Sequence, residues 1–111
     1  MDNIKNDKHY VDRIIADMSF IMTHMEDISI EDLRVNEVLL DSMMFRLIQI
    51  SENAKKLSEQ YRSAHDNIPW TDIYGLRNRI VHDYGSVDIG IIFDTITQDI
   101  PDLLTAINSE S

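Results

Sequence analysis

The stretch LLDSMMFRLIQISENAKKLSEQY, residues 39–61, decides the fold. Within it Leu40, Met43, Leu47, Ile50, Ala54, Leu57 and Tyr61 recur in alternating steps of three and four, which places them on one stripe of an α-helix and leaves no strand-like alternation. The seam is heptad-like and predicts one long second helix. Leu39, Met44 and Ile48 fall off it, so this helix carries a second apolar surface besides the one facing its own core.

The flanking segments follow the same period. Upstream, a first helix is predicted from about Lys5 to Asp27, with Tyr10, Ile14, Met18, Ile21 and Met25 on one stripe and Val11, Ile15 and Met22 broadening it. Ser29, with Glu31 and Asp32 after it, has the form of a capping box that opens the next helical region. Downstream, His65 to Pro69 reads as a loop, with Pro69 suited to the first turn of a third helix from Trp70 to about Tyr84 and Gly85 as its stop. Ser86 is the expected cap of a fourth helix carrying Ile89, Ile92, Ile96, Ile100, Leu103 and Ile107, with Pro101 bending or restarting it. Gly90 in its early turn costs about 1 kcal/mol against alanine and is expected to fray. The expectation is an all-α, up-and-down bundle of four main helices in a single domain, residues 1–111.

The chain has 111 residues and 43% hydrophobic content, enough for a core without metals or disulfides. Cysteine is absent, which excludes disulfide and thiolate chemistry and fits a reducing compartment. No apolar run approaches the roughly 20 residues of a membrane helix, so a soluble, non-secreted, cytoplasmic protein is expected.

A formal net charge of -10 opposes a surface that grips nucleic acid everywhere and suits a basic protein partner. The charges are uneven, however. Lys55, Lys56, Arg62, Arg77 and Arg79 cluster between positions 55 and 82 against only Glu59, Asp66 and Asp72, leaving room for a local basic cleft. Lys55, Lys56 and Arg79 are candidates to touch an RNA backbone, against the plainer reading of a solvated face.

Chemistry is concentrated in Leu76-Arg77-Asn78-Arg79-Ile80-Val81-His82-Asp83-Tyr84-Gly85. Arginine can hold a phosphate through two donors and histidine can move a proton near neutral pH, so Arg77 and His82 have the parts for phosphodiester cleavage. On an ideal helix they lie roughly 140° apart; a distorted helix end or a second copy of the chain would bring them together. There His82 would take the proton of an RNA 2′-hydroxyl, Arg77 would stabilise the phosphorane, and Asn78 would orient the imidazole or hold a phosphate oxygen. Read alone, the spacing favours a solvated arginine and a histidine closing a helix C-terminus. His9, His24 and His65 show no metal-ligand spacing, so no metal site is expected. The methionines at helical spacing read as core, and Trp70 as the anchor of its loop rather than a base-stacking platform.

Four segments shift that balance when taken in order: Ile50 to Ser58, Ile68 to Trp70, Ile73 to Tyr84, and Asp99 to Leu104. Together they resemble the HepT branch of the HEPN family. The resemblance implies an all-α, homodimeric fold and a metal-independent endoribonuclease, with an R-x4-6-H motif forming a composite site at the dimer interface. Arg77 and His82 match the catalytic pair, Asn78 the polar residue after the arginine, and Tyr84 the motif tyrosine. It further implies a toxin whose partner, an MntA-type nucleotidyltransferase antitoxin, transfers AMP from ATP to Tyr84, and no cofactor of its own. The alternative is a non-catalytic module that docks on a nucleotidyltransferase and helps hold its nucleotide or substrate.

Overall fold

The computed structural model describes residues 4–80 and 88–110. All regular structure among them is helical: α1 (Ile4–His24), α2 (Ile30–Val35), α3 (Glu37–Lys55), α4 (Glu59–Ala64), α5 (Trp70–Tyr74), α6 (Leu76–Ile80), α7 (Ile89–Asp94), a π-helical turn (Thr95–Asp99) and α8 (Ile100–Glu110). The all-α expectation holds. Of the four main helices of the sequence reading, the first stands whole and the fourth runs on through a π turn, whereas the second and third are broken into shorter pieces.

α1 stops at His24 rather than Asp27, because Asp27 takes the left-handed conformation (φ 61°) that turns the chain, one that aspartate tolerates better than most residues. The capping box forms as read: Ser29 Oγ accepts from Asp32 N at 3.1 Å, and Asp32 Oδ2 accepts from Ser29 N at 3.0 Å. It opens only the short α2. Asn36 then caps α3, its side chain accepting from Leu39 N.

The seam that predicted one long helix stays buried but spans a break. Met43, Leu47, Ile50, Ala54 and Leu57 are all in the core, whereas α3 ends at Lys55 and α4 starts at Glu59. Ser58 caps α4 by accepting from Tyr61 N at 3.0 Å. Its own N–H and hydroxyl donate to Asp7 on α1 at 2.8 and 2.6 Å, with Asp7 only 4% exposed. A second polar tie, Asp17 to Arg46 at 2.7 Å, joins α1 to α3. Asp7 thus meets the chain just beyond the end of α3 and Asp17 meets the middle of α3, so α1 and α3 run antiparallel.

Around this pair the core is continuous, from Val11, Ile14, Met18 and Ile21 on α1 through α3 to Ile92, Ile96, Ile100 and Leu103 on the C-terminal helix. Met22, expected to broaden the α1 stripe, is 40% exposed. Among the residues off the α3 seam, Leu39 and Met44 pack against the core. The exposed apolar surface of this region is Val35, Val38 (80%) and Phe45 (58%) instead.

The expected third helix breaks at Gly75 into α5 and α6. Trp70 anchors its start as read from the sequence, donating from Nε1 to His65 O at 3.1 Å and meeting Tyr61 edge-on. The expected stop at Gly85 and cap at Ser86 lie outside the described residues. The cap seen on α7 is Asp88, which accepts from Ile91 N at 3.1 Å. A β-carbon at Gly90 would sit 3.2 Å from the Asp88 carboxylate, so alanine there would gain about 1 kcal/mol of helix propensity and lose a similar amount of capping. Gly90 makes room for the cap.

Pro101 does not end the C-terminal helix. It lies in the first turn of α8, and the turn before it is widened, with Ile100 N–H donating to Thr95 O five residues back. Proline lacks an N–H and crowds the carbonyl four residues behind it, and a π turn relieves that crowding. Thr95 and Thr97 donate their hydroxyls to Ile91 O and Phe93 O, both at 2.8 Å, which also favours a bend.

Asp7→Ala would strand the buried N–H of Ser58 and is expected to lower unfolding stability by about 1–3 kcal/mol in urea denaturation. Lys8→Ala, which removes only the exposed pair with Asp12, should leave the midpoint unchanged within error. Ser51→Ala, which deletes a buried hydroxyl donating to Tyr74 O at 2.9 Å, is expected to cost about 1 kcal/mol in the same measurement.

Candidate functional site

Arg77, Asn78 and Arg79 sit together on α6, which is five residues long and buries Leu76 and Ile80. A helix this short has no stability of its own, so its neighbours hold it in place. Ser51 on α3 grips the carbonyl of Tyr74 just upstream. Arg62 on α4 donates to Tyr74 Oη at 3.1 Å and to Ser58 O at 3.3 Å. The approach to α6 is therefore pinned from both α3 and α4.

With Leu76 and Ile80 turned inward, the three polar residues between them face solvent. Among the described residues Arg77 makes no ion pair, so its guanidinium keeps its donors for an incoming anion. Arg79 differs. Its Nη1 meets Asp99 Oδ2 at 2.7 Å at the end of the π turn, with the two side chains 44% and 40% exposed. Of the candidate phosphate contacts, Lys55 and Lys56 are exposed at the end of α3, and Lys56 lies 5.7 Å over the Tyr10 ring. Arg62, counted in the basic cluster, is occupied with Tyr74 and Ser58. Of the basic cluster, Arg77, Lys55 and Lys56 are exposed and make no ion pair among the described residues.

His82 and Tyr84 lie outside the described residues. The other histidines have local structural roles: His24 Nδ1 donates to Phe20 O at 2.8 Å and stacks on its ring, and His65 Nδ1 donates to Tyr61 O at 2.9 Å and stacks on Tyr61. Among the described residues no group of three or more histidines and carboxylates is placed to hold a metal ion, and no helix is long and apolar enough to cross a membrane. Sequence reasoning assigned no holding role to Ser51, Arg62 or Asp99. Each acts across 12 to 23 positions, a separation that periodicity does not register.

A family described as "Ribonuclease HepT-like" matches residues 8–110. A candidate RNase of Caldanaerobacter subterraneus subsp. tengcongensis is 32% identical over 90% of this chain and 89% of its own length. A Thermococcus cleftensis protein named "Probable ribonuclease HepT" is 25% identical over 89% of this chain and 90% of its own. A Methanocaldococcus jannaschii protein, named for gamma-glutamylcyclotransferase together with a candidate RNase, is 27% identical over 89% of this chain, which spans only 45% of that longer relative. No solved structure gives a significant match. With an arginine presented on a short helix and a family match across almost the whole length, the chain belongs to the HepT-like ribonuclease family.

Proposed function

We propose that this protein is the toxin of a toxin–antitoxin pair and cleaves single-stranded RNA. The observation that carries the reading is Arg77: an exposed guanidinium with no ion-pair partner among the described residues, on a helix held from α3 and α4, in a chain of the HepT-like ribonuclease family. The relatives named as ribonucleases support the same activity.

In this reading His82 removes the proton from an RNA 2′-hydroxyl. The 2′-oxygen attacks the adjacent phosphorus, the bond to the 5′-oxygen breaks, and that oxygen takes a proton from solvent to leave as a hydroxyl, producing a 2′,3′-cyclic phosphate, while His82 returns its proton to water. Arg77 holds the non-bridging oxygens as charge builds on the phosphorane, where a guanidinium contributes most. Asn78 orients the imidazole or a phosphate oxygen, and Lys55 and Lys56 track the backbone. A homodimer brings the two motifs into one cleft. The exposed Val38 and Phe45 on α3 supply apolar surface for that pairing. Silencing follows from AMP transfer to Tyr84 by a nucleotidyltransferase, because added phosphates beside the catalytic pair repel RNA.

The net charge of -10 favours a second reading, in which the chain is a non-catalytic module docked on a nucleotidyltransferase. A cleavage assay separates the two. The purified protein is expected to cut single-stranded RNA in the presence of a chelator, leaving cyclic phosphate ends, with Arg77→Ala and His82→Ala each slowed by about 10²-fold or more. Intact RNA at high protein concentration, or equal cleavage by His82→Ala, would favour the module. Intact mass of the protein made together with its neighbouring nucleotidyltransferase is expected to rise by whole AMP units, and Tyr84→Phe should abolish both the gain and the loss of cleavage.

A further inference from the structure

We infer that the Arg79–Asp99 ion pair positions the motif helix, and that Arg79 is a positioning residue rather than an RNA ligand. The inference rests on the ribonuclease reading above. The pair closes at 2.7 Å across 20 residues of sequence and is the sole side-chain hydrogen bond made by α6 among the described residues. Leu76 and Ile80 bury the inner side of this five-residue helix. Apolar contacts resist withdrawal of a helix from a core but resist its rotation weakly, since packing is non-directional whereas a charged hydrogen bond fixes distance and angle. Arg79 stands two positions from Arg77 on the same short helix, so a small rotation of α6 moves the Arg77 side chain.

The other end of the bond is built for the purpose. Asp99 is the last residue of the π turn, and the Ile100 N–H to Thr95 O bond inserts one extra residue into the helical repeat. That turns the following helix by roughly 100° relative to an uninterrupted α-helix. The pair spans a cleft of about 580 Å³ floored by Leu76 and Leu103, with the exposed carboxylates of Asp72 and Asp102 also on its lining. An RNA phosphate reaching for Arg79 would meet three carboxylates in this cleft, which disfavours Arg79 as an anion site and leaves that role to Arg77.

A surface pair of this exposure adds little to global stability. Its effect lies in geometry, because misplacing a catalytic group by about 1 Å can cost on the order of 10²-fold in rate. Asp99→Asn and Arg79→Gln are therefore expected to lower kcat by about tenfold or more, with KM within about twofold of wild type and the thermal midpoint little changed. The exchanged pair Arg79→Asp with Asp99→Arg should recover a substantial part of kcat, and Asp102→Asn should behave as wild type. If Arg79 instead held RNA with Asp99 restraining it, Asp99→Asn would tighten KM and Arg79→Gln would weaken it, overturning the inference. Hydrogen exchange of residues 76–80 gives a readout independent of activity. It should quicken in Asp99→Asn and return towards wild type in the exchanged pair. Unchanged exchange in Asp99→Asn would sink the positioning role whether or not the wild type cuts RNA. A wild type that cuts no RNA, with quickened exchange in the variant, would sink the ribonuclease reading while leaving the clamp in place.

Discussion

The carboxylate of Asp7 accepts two hydrogen bonds from Ser58, 51 positions away, and much of the architecture depends on where that contact falls. The heptad seam would otherwise carry α3 straight on. By occupying the N–H and hydroxyl of Ser58, Asp7 stabilises the break between α3 and α4, and the chain turns so that α5 and α6 return to the side of α3. The contact also starts a polar relay. Ser58 O accepts from Arg62, Arg62 reaches Tyr74 Oη, and Tyr74 O accepts from Ser51. The first turn of the molecule is thus connected, through buried or half-buried hydrogen bonds, to the residue two before the motif helix. Such networks specify one arrangement more sharply than apolar contacts do, because each group left unpaired carries a desolvation cost.

The distribution of cations follows a similar division. Arg46 pairs with Asp17 and lies 3.8 Å over the Phe20 ring, Arg62 serves Tyr74 and Ser58, and Arg79 is held by Asp99. Each is spent on holding helices together. Arg77, like Arg13 on α1, is exposed and makes no ion pair among the described residues, and this contrast separates it from the other arginines of its own stretch, Arg62 and Arg79. In an acidic protein the negative field discourages phosphate contacts over most of the surface.

Local rules carried the sequence reading a long way. The seam residues from Met43 to Leu57 are buried as the spacing requires, the Ser29 and Asp32 box forms, and Trp70 anchors its loop. What was illegible depended on distant partners. The α3–α4 break was hidden because the same apolar residues stay buried on either side of it, although Ser58 followed by Glu59 is a capping signal in its own right. At Gly75 the interruption was visible as a glycine but was outvoted by the periodicity of Ile73, Leu76 and Ile80. Asp88 rather than Ser86 is the cap seen on α7, a choice between two competent residues that spacing does not decide. Around the candidate site, the motif arginine stands out in the sequence, whereas Ser51, Arg62 and Asp99 reach its surroundings only through the folded chain.

α6 consists of a single turn and a fraction, bounded by the break at Gly75. A segment of that length cannot nucleate alone, so the spatial meaning of the motif is on loan from the rest of the molecule. Excised as a peptide it would be an arginine-rich string with no preferred shape. Within the protein, the placement of Arg77 and the cooperative fold are one property. A substitution deep in the α1–α3 core, far from α6, would register there as a displaced Arg77. Any constraint on where Arg77 stands is therefore a constraint on the whole hydrophobic core.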